Sequence, residues 1–512
     1  MTGHDRICAV VAAPNARSMW RQLEQGLRRT RTAELRLDWL SSDNEISQFL
    51  HLLASKPLRA ILIATCRRRE AGGRYRGSIA KQLLHLAEAL RAGCTWYDLE
   101  VETLSVCPPE LLDVLLGEGR QLLSAHDFQG VPANLNRVAA RLAKLPADAL
   151  KIAAQCDSLK DGLKLLSLAR TRRNLVVMPM GDIALPARIL ALREGSALTY
   201  APVENATAPG QVSLEEMQDL YRAGRLDRRT RVYGVIGDPI GQSLSPVMQN
   251  AGFRARHMNS IFLPFLVHNL RDFLASIKPL GIAGFSVTIP HKQPILRHLD
   301  GCDSLAAAIG AVNTVVVRGG GKLYGYNTDY VGVLRALQPR IQLRGSRILI
   351  LGAGGAARAV AFALAQAGAV VCVCARCPDR ALALAQAVHG EAVERRCIRR
   401  EFFDAIVNAT PVGMHPLVGR SPLDEQELNC RLVFDTVYRP RATKLLQLAS
   451  RRGIDTISGV DMFVAQGTAQ WEIWTGQRAP AEAMRRAVVR VLEQTERAGS
   501  RLTHNDRKRP TR

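Results

Sequence analysis

Residues 347–357 read RILILGAGGAA, in which an apolar run leads into a glycine-rich turn and then into an alanine-rich segment. This order of strand, turn and helix makes the G-x-G-x-x-A pattern from Gly352 to Ala357 informative. Its glycines permit a tight turn and let a pyrophosphate approach the N-terminus of the helix. The stretch therefore predicts a doubly wound, dinucleotide-binding α/β domain, and strand–helix pairs continue through about 340 to 460.

The second strand of this domain, Val370–Cys374, ends beside Ala375 and Arg376, where a fold that binds NAD typically places an acidic residue. An arginine there favours the 2′-phosphate of NADP, because a guanidinium grips phosphate through paired hydrogen bonds. Arg380, in the first turn of the next predicted helix, would add a second contact. The alternative is that Arg376 packs over the adenine or lies in solvent. We predict NADP as the cofactor.

From residue 1 to about 225, short β-rich runs alternate with segments of helical period. The eight runs are Ile7–Ala13, Leu35–Leu40, Ala60–Cys66, Thr95–Val101, Leu122–Phe128, Ala149–Ala154, Leu175–Met180 and Ala197–Val203. Eight β/α units in this length predict a (β/α)8 barrel, a fold whose chemistry lies at the C-terminal ends of the strands.

Charged side chains occur at these strands and their ends. Glu34, Arg36 and Asp38 alternate along the second strand, so they would share one face. The fifth strand carries His126 and the sixth carries Lys151. A lysine desolvated inside a barrel becomes a nucleophilic amine that can form a Schiff base, and a neighbouring histidine can move protons. For any single charge, half of a structural ion pair stays the alternative.

Four segments of this half carry a resemblance: ELRLD at 34–38, SAHD at 124–127, LKIA at 150–153 and APGQ at 208–211. Together they resemble the signature blocks of type I 3-dehydroquinate dehydratases. The resemblance spans the first half and implies that Lys151 forms an imine with the substrate ketone and that His126 is the general acid/base. It also implies the side chains that hold the substrate's carboxylate and hydroxyls, namely Glu34, Arg36, Arg67, Arg188, Thr207 and Gln211.

Two positions depart from that family's pattern. Ala71 stands where the family usually has glutamate, with an acid one place earlier at Glu70, and Ala187 stands where it usually has serine. We expect the first departure to alter how His126 is oriented and the second to remove one hydrogen bond. Neither touches the pair formed by the lysine and the histidine.

The second half contains further polar segments: GDPIGQSLSP at 237–246, FSVTIPHK at 285–292, GAVNT at 310–314, GYNTD at 325–329, DTVY at 435–438 and GVDMFVAQ at 459–466. Pro246 suits a first helical turn, which would place Ser243 and Ser245 at a helix N-terminus, where a carboxylate can bind. A simple N-cap serine is the alternative. Lys292 alone could be a surface lysine, but Pro290 and the β-rich run before it place it at a strand exit.

These segments closely resemble shikimate dehydrogenases across the whole second half. The resemblance implies Lys292 and Asp329 as the catalytic pair beside the reacting carbonyl, with the lysine supplying the proton and positive charge that a developing alkoxide needs. The substrate would be bound by Ser243, Ser245, Thr288, Asn313, Asp329, Tyr438 and Gln466. The cofactor would be bound by Gly352, Ala353, Gly354, Gly355, Ala356, Ala375, Arg376, Arg380, Thr436 and Gly459.

A chain of 512 residues is longer than one hydrophobic core usually fills, so two or three domains are expected. We predict a dehydratase barrel at 1–225, a substrate domain at 231–338 plus 460–495, a Rossmann-type NADP-binding domain at 339–459 and a basic, disordered tail at 497–512. The two halves share an intermediate. The predicted function is dehydration of 3-dehydroquinate to 3-dehydroshikimate, followed by reduction to shikimate with NADPH.

A formal net charge of +23 fits either nucleic-acid binding or an arginine-rich surface that attracts anionic substrates. The basic residues are spread along the chain without an aromatic–basic platform, so we expect small-molecule substrates and neither a nucleic acid nor a membrane as partner. The alternatives are a quinate-type substrate for the dehydrogenase, another Schiff-base chemistry for the barrel, and a basic scaffold or nucleic-acid binder with degenerate sites.

The eleven cysteines are scattered and show no zinc-ligand spacing, which favours free thiols in a reducing compartment and no metal site. The first residues lack the pattern of a signal peptide, and no apolar run reaches the roughly 18–20 residues needed to cross a bilayer. We therefore expect a cytoplasmic location. The sequence leaves the oligomeric state open.

Overall fold

The computed structural model describes the backbone of residues 3–115, 117–204 and 210–506, and their side chains except those of 3–4 and 498–506. The chain divides into two compact units. The first comprises Met1–Arg231 and Phe265–Gly281, and the second comprises Val232–Pro264 and Ile282–Arg512.

The sheet of the first unit has eight strands: β1 (Ile7–Val11), β2 (Thr32–Arg36), β3 (Ile61–Thr65), β4 (Trp96–Glu100), β5 (Arg120–Asp127), β6 (Ala149–Gln155), β7 (Leu175–Met180) and β8 (Thr199–Pro202). All neighbours are parallel, in the order β7-β6-β5-β4-β3-β2-β1-β8. Between the two end strands, the amide of Ala197 donates to the carbonyl of Leu175 at 2.8 Å. The sheet is therefore nearly closed, and the predicted (β/α)8 barrel is confirmed.

Helices alternate with these strands: α1 (Ala16–Leu27), α2 (Asp43–Ser55), α3 (Ile79–Arg91), α4 (Val101–Val106), α5 (Pro109–Leu112), α6 (Leu135–Leu142), α7 (Leu159–Ala169) and α8 (Leu185–Glu194). Polar side chains begin several of them, because an oxygen at the N-cap accepts a hydrogen bond from an otherwise unpaired first-turn amide. Asn15 accepts from the amide of Ser18 at 2.9 Å, and Ser158 accepts from that of Asp161 at 3.3 Å. The strand termini that carry the polar side chains are thus held between regularly capped helices.

The second strand differs from the prediction. It ends at Arg36, and residues Leu37–Trp39 form a short 3-10 turn, so Asp38 does not continue the strand face. Within this turn the Asp38 carboxylate accepts from Nε and Nη2 of Arg36 at 2.9 and 2.8 Å and from the backbone amide of Arg74 at 3.1 Å, a contact with a distant segment that strand periodicity does not show. The charged residues lie at the end of the strand, as predicted. Glu34 and Arg36 belong to the strand, whereas Asp38 lies in the turn that follows it.

The second unit contains two six-stranded sheets. Their strands are β9 (Arg231–Gly237), β10 (Ser260–Leu266), β11 (Ile282–Val287), β12 (Gly301–Cys302), β13 (Thr314–Val317), β14 (Leu323–Tyr326), β15 (Arg347–Leu351), β16 (Val370–Cys374), β17 (Glu391–Ala392), β18 (Phe403–Asn408), β19 (Cys430–Asp435) and β20 (Asp455–Ile457). One sheet has the order β10-β9-β11-β13-β14-β12, with antiparallel pairs on both sides of β13. The other has the order β17-β16-β15-β18-β19-β20 and its pairs are all parallel.

The helices that follow are α9 (Ser245–Ala255), α10 (Leu270–Leu280), α11 (Ser304–Ile309), α12 (Asp329–Leu337), α13 (Gly355–Gln366), α14 (Pro378–Ala387), α15 (Lys444–Arg451), α16 (Gly459–Thr475) and α17 (Ala481–Asp506). The strand order of the parallel sheet is that of a doubly wound dinucleotide fold, with its first strand in the centre. Alanines on α13 let that helix pack closely on the sheet, where Ala357 and Val360 are fully buried beside Ile350. The predicted Rossmann-type domain is confirmed.

The C-terminal segment departs from the prediction of a disordered tail beginning at Arg497. Helix α17 continues to Asp506, because alanine, glutamate, arginine and leucine in this stretch favour helix and no proline interrupts it. Residues 507–512 lie outside the part of the chain that the structure describes. Among the described helices, none is both long enough and apolar enough to span a membrane.

Candidate active sites

Lys151 lies in the interior of the barrel, on β6. Its side chain is buried, and its Nζ lies 3.2 Å from Oε1 of Glu34 on β2 and 3.1 Å from Oδ2 of Asp98 on β4. The same nitrogen lies 4.1 Å from the ring centroid of Tyr200 on β8. The lysine is therefore surrounded by two carboxylates and an aromatic ring from three other strands.

Asp98 connects the polar groups of this barrel interior. Its carboxylate accepts hydrogen bonds from Arg67 at 2.7 Å, Ser124 at 2.5 Å and Lys151 at 3.1 Å. Burial alone would raise the pKa of the Asp98 carboxyl, but the charges of Arg67 and Lys151 outweigh burial and lower it. Asp98 falls within the predicted strand run Thr95–Val101, but no role was predicted for it. The alternation of Asp98 with Glu100 along β4 was the signal available.

His126 is held on β5 by a cation and an aromatic ring. Nη1 of Arg67 lies 2.8 Å from Nδ1 and 2.7 Å from Nε2 of the imidazole, and the ring of Phe128 stacks on it at 6.2 Å between centroids. Burial, followed by the positive charges of Arg67 and Lys151, holds the pKa of His126 well below its ordinary value. Glu70, the acid that precedes the departure from the family pattern at Ala71, is exposed and pairs with Arg68 at 3.4 Å. The imidazole is therefore kept neutral and able to accept a proton.

The remaining predicted ligands of the dehydratase half lie on different elements. Glu34 is buried and accepts a hydrogen bond from Thr65 at 3.0 Å. Arg188 is 1% exposed; its Nε donates to the carbonyl of Pro179 at 3.0 Å, whereas its Nη1 has no hydrogen-bond partner in the described residues. Burial lowers the pKa of Arg188 to about 10. A buried guanidinium with an unpaired nitrogen suits an anionic ligand. Gln211 is half-buried, and Thr207 lies outside the described residues.

In the second unit, the structure brings Lys292, Asp329 and Asn313 together. Nζ of Lys292, which follows β11 across a turn, lies 2.5 Å from Oδ2 of Asp329, the first residue of α12. The amide nitrogen of Asn313 donates to the other oxygen of Asp329 at 2.8 Å and to Oγ1 of Thr328 at 3.0 Å. One carboxylate thus orients a lysine and an amide, with a charged donor placed for proton transfer.

The other predicted substrate ligands come from distant parts of the sequence, including the start of α9 and the helix α16. Oγ of Ser243 accepts from the amide of Ser245 at 3.3 Å, so Ser243 also serves as a local turn acceptor just before α9. Nε2 of Gln466 donates to the carbonyl of Phe463 at 2.9 Å, and the ring of Tyr438 stacks on Phe463 at 4.2 Å. Burial raises the pKa of Tyr438. Thr288 lies in the turn between β11 and Lys292.

The glycine-rich turn begins α13 as predicted. Gly352 has φ +115°, a conformation that favours glycine, and a Cβ there would lie 3.2 Å from the carbonyl oxygen of Ala409. The N-cap residue is Gly354, which supplies no capping side chain, so the first-turn amides of α13 are left for an anion. A Cβ on Gly355 would lie 3.6 Å from Cδ of Lys292. The turn that fits a pyrophosphate therefore lies beside the lysine.

Two further predicted cofactor ligands are Thr436, which follows β19, and Gly459, the first residue of α16. A Cβ on Gly459 would lie 2.5 Å from the carbonyl oxygen of Thr436, so the two backbones can approach only if residue 459 is glycine. Behind them, Asp435 accepts hydrogen bonds from Asn408 at 2.9 Å and Thr443 at 2.6 Å. These buried hydrogen bonds hold the C-terminal end of β19 in place. They were not predicted from the sequence.

Arg376 follows β16 and Arg380 lies in the first turn of α14, as predicted. Both side chains are exposed, and neither takes part in an ion pair with a described residue. Ala375 and Ala356 are half-buried, as is Ala353 in the glycine-rich turn. The pair of arginines thus stands at the edge of the sheet where a dinucleotide's adenosine ribose is bound in this fold.

Three family models match the chain: "Type I 3-dehydroquinase" over residues 7–227, "Shikimate dehydrogenase substrate binding domain" over 235–315 and "Shikimate 5'-dehydrogenase C-terminal domain" over 459–489. The bifunctional 3-dehydroquinate dehydratase/shikimate dehydrogenase of Arabidopsis thaliana, a chloroplastic protein, is 34% identical over 473 residues, covering 88% of this chain and 78% of the relative. A shikimate dehydrogenase (NADP(+)) of Bacillus cereus is 44% identical, covering 51% of this chain and 99% of the relative.

Among solved structures, a shikimate 5-dehydrogenase from Thermus thermophilus in complex with NADP(H) and shikimate is similar to the second half. It is 36% identical, with a TM-score of 0.48, and the match covers 51% of this chain and 99% of that chain.

Proposed function

This chain belongs to the bifunctional 3-dehydroquinate dehydratase/shikimate dehydrogenases, and from that premise we propose how its residues divide the two reactions. The enzyme removes water from 3-dehydroquinate to give 3-dehydroshikimate and reduces that product to shikimate with NADPH. The curated relatives of the second half are shikimate dehydrogenases that use NADP(+), which favours shikimate over the quinate-type alternative. A coupled assay tests the whole assignment: adding 3-dehydroquinate and NADPH to the full chain should consume NADPH.

We assign the dehydratase to residues 1–225. The dehydrogenase would comprise a substrate domain at 231–338 plus 460–495 and an NADP-binding domain at 339–459. The eight parallel strands of the first unit and the two separate sheets of the second support this division.

The observation that carries the dehydratase mechanism is the placement of Lys151 and His126 on adjacent barrel strands, with Arg67 contacting His126 and Asp98 contacting both Arg67 and Lys151. His126, held neutral, can take the proton that the ammonium must lose before its nitrogen attacks the substrate ketone. Loss of water from the adduct gives an imine, which acidifies the adjacent C–H bond. His126, held neutral, accepts that proton and donates one to the departing hydroxyl. Hydrolysis of the imine then releases 3-dehydroshikimate and restores Lys151.

Arg188 is the proposed ligand of the substrate carboxylate in the barrel. Its unpaired, buried Nη1 gains a charge-assisted hydrogen bond when a carboxylate arrives. Arg36, Arg67, Gln211 and Thr207 are proposed to hold the ring hydroxyls together with Glu34.

The dehydrogenase site is proposed to work through the Lys292–Asp329 pair. When bound, NADPH supplies the hydride. Lys292 donates a proton to the carbonyl oxygen as negative charge develops there, and Asp329 keeps the ammonium in place. Asn313 orients Asp329, while Ser243, Ser245, Thr288, Tyr438 and Gln466 are proposed to bind the carboxylate and hydroxyls of the substrate.

Arg376→Ala is expected to weaken NADPH binding and leave NADH binding nearly unchanged. The guanidinium would grip the 2′-phosphate through hydrogen bonds to a charged group, each worth about 1.5–3 kcal/mol. At roughly 1.4 kcal/mol per factor of ten, the variant should bind NADPH about 10- to 100-fold more weakly. The measurement is the dissociation constant of both cofactors. Arg431→Ala, at another exposed arginine of this domain, is the control, and equal losses for NADPH and NADH would exclude a phosphate contact at Arg376.

The pH dependence of the dehydratase should report the neutral state of His126. Because the pKa of this histidine is well below its ordinary value of about 6.5, kcat/KM should stay level as pH falls through 6.5 and decline only at clearly lower pH. The measurement is the pH profile of 3-dehydroshikimate formation. His51→Ala, at an exposed histidine on α2, should leave the profile unchanged. An acid limb centred near 6.5 in the wild type would contradict this account of the general base.

We also propose a cytoplasmic location, which is supported by eleven cysteines that are all free thiols. The proposed partners are the small-molecule substrates, with neither a nucleic acid nor a membrane among them. The spread of basic residues along the chain, with no aromatic–basic platform in the sequence, supports this.

A further inference from the structure

Arg358 lies in the first turn of α13, the helix whose N-terminus carries the glycine-rich turn. Its guanidinium is half-buried, and its Nε donates to the carbonyl of Ile309, at the C-terminal end of α11. Nη2 lies 3.3 Å from the position that a Cβ on Gly310 would occupy. Burial lowers the pKa of Arg358. A cation at the end of a helix satisfies a carbonyl that the helix itself leaves unpaired.

The segment held by Arg358, residues 309–313, supports the catalytic pair directly. The amide of Val312 donates to the carbonyl of Lys292 at 2.8 Å. The side chain of Asn313 donates to Asp329, also at 2.8 Å. Asn327 holds the carbonyl of Ala311 at 2.8 Å from the opposite side. A shift of this short segment would therefore move the backbone of the lysine and the partner of the aspartate together.

Apolar contacts join the same two parts of the unit. Ile309, Ala311 and Ala359 form a fully buried cluster, and the half-buried ring of Phe362 on α13 packs against it. A Cβ on Gly355 would lie 3.9 Å from Cβ of Ala311. The first two turns of α13 therefore pack against the segment that Arg358 holds.

We propose that Arg358 is a positioning residue that couples NADPH binding to substrate binding. The inference rests on the proposed binding of NADPH at the glycine-rich turn. A pyrophosphate held by the first-turn amides fixes the start of α13, and Arg358, in that turn, fixes the segment that places Lys292 and Asn313. Bound NADPH would then strengthen the binding of the substrate by some factor. Because linkage is reciprocal, the bound substrate must strengthen NADPH binding by that same factor.

The test measures this factor in the full chain by calorimetry, with NADPH and shikimate, which cannot react with each other because both are reduced. The dissociation constant of NADPH is determined alone and with saturating shikimate. The wild type should show at least about fivefold tighter NADPH binding with shikimate, the lower end of typical coupling. Arg358→Gln should reduce the factor to less than about twofold while NADPH alone binds nearly as well as before.

Three variants complete the experiment. Arg358→Lys retains a charged donor, so it should keep much of the coupling. Arg358→Met keeps the apolar length of the side chain without its donors, so it should lose the coupling, and it replaces the glutamine variant if that protein fails to fold. Arg335→Gln, at an exposed arginine of α12, is the control and should keep the wild-type factor.

Three results would overturn the proposal. The first is a wild-type factor of one, and the second is an unchanged factor in Arg358→Gln. The third is loss of NADPH binding in Arg358→Gln in the absence of shikimate, which would make Arg358 a phosphate ligand instead. Failure of the cofactor assignment is distinguishable, since NADPH would then not bind the wild type or Arg376→Ala would weaken both cofactors equally.

Discussion

Lys151→Ala should reduce dehydration of 3-dehydroquinate to below detection and leave reduction of 3-dehydroshikimate nearly unchanged. The first reaction requires an amine to form the imine, and alanine supplies no nucleophile. The second reaction is assigned to residues of the other unit. The two activities are measured separately, one by formation of 3-dehydroshikimate and one by consumption of NADPH.

Trapping the imine adds a direct readout. Borohydride added with 3-dehydroquinate should attach the substrate covalently to the peptide that contains Lys151, and the alanine variant should not be labelled. Lys164→Ala, at a half-exposed lysine of α7 paired with Asp161, is the matched control and should be labelled like the wild type. Labelling at a different lysine would overturn the assignment of the barrel site.

Lys292→Ala should slow the turnover of bound 3-dehydroshikimate by about 10²–10⁴-fold, the range typical of a lost general acid. NADPH affinity should change little, because the lysine acts on the carbonyl oxygen of the substrate and its ion pair is with Asp329. The measurements are kcat and KM of the reduction and the dissociation constant of NADPH. Lys322→Ala, at an exposed lysine before β14, is the control.

A comparison with Asn313→Ala separates chemistry from binding in the same site. If the asparagine contributes uniform binding, its loss should raise the KM of the substrate more than it lowers kcat. If Lys292→Ala instead changed only the affinity for NADPH, the Lys292–Asp329 pair would not be the catalytic one.

The sequence predicted those features that depend on local patterns. The bounds of β7 and β16 coincide with the apolar runs read from the sequence, because a buried parallel strand is a short, nearly continuous apolar run. The start of α13 was predicted from the glycine-rich turn that precedes it. The roles of individual site residues came from family resemblance and stay predictions.

Contacts between distant segments could not be predicted in this way. Asp98 is bonded to Ser124 on β5, Lys151 on β6 and Arg67 just after β3, and no local pattern encodes how these strands are aligned. The bond from Arg358 to Ile309 likewise joins residues 49 positions apart. Asp38 was assigned to the strand because its contact with the backbone amide of Arg74, 36 positions away, leaves no local pattern in the sequence.

The short distance between Gly355 and the side chain of Lys292 limits which residues can occupy position 355 in homologous proteins. A methyl group at 355 would reach ordinary van der Waals contact with the lysine side chain, so alanine is tolerable, but any larger residue must displace the lysine. Selection at position 355 would therefore act through the reduction of the carbonyl as well as through the nucleotide. The glycine signature of the dinucleotide fold is therefore, at this position, also constrained by the lysine that we propose to be catalytic.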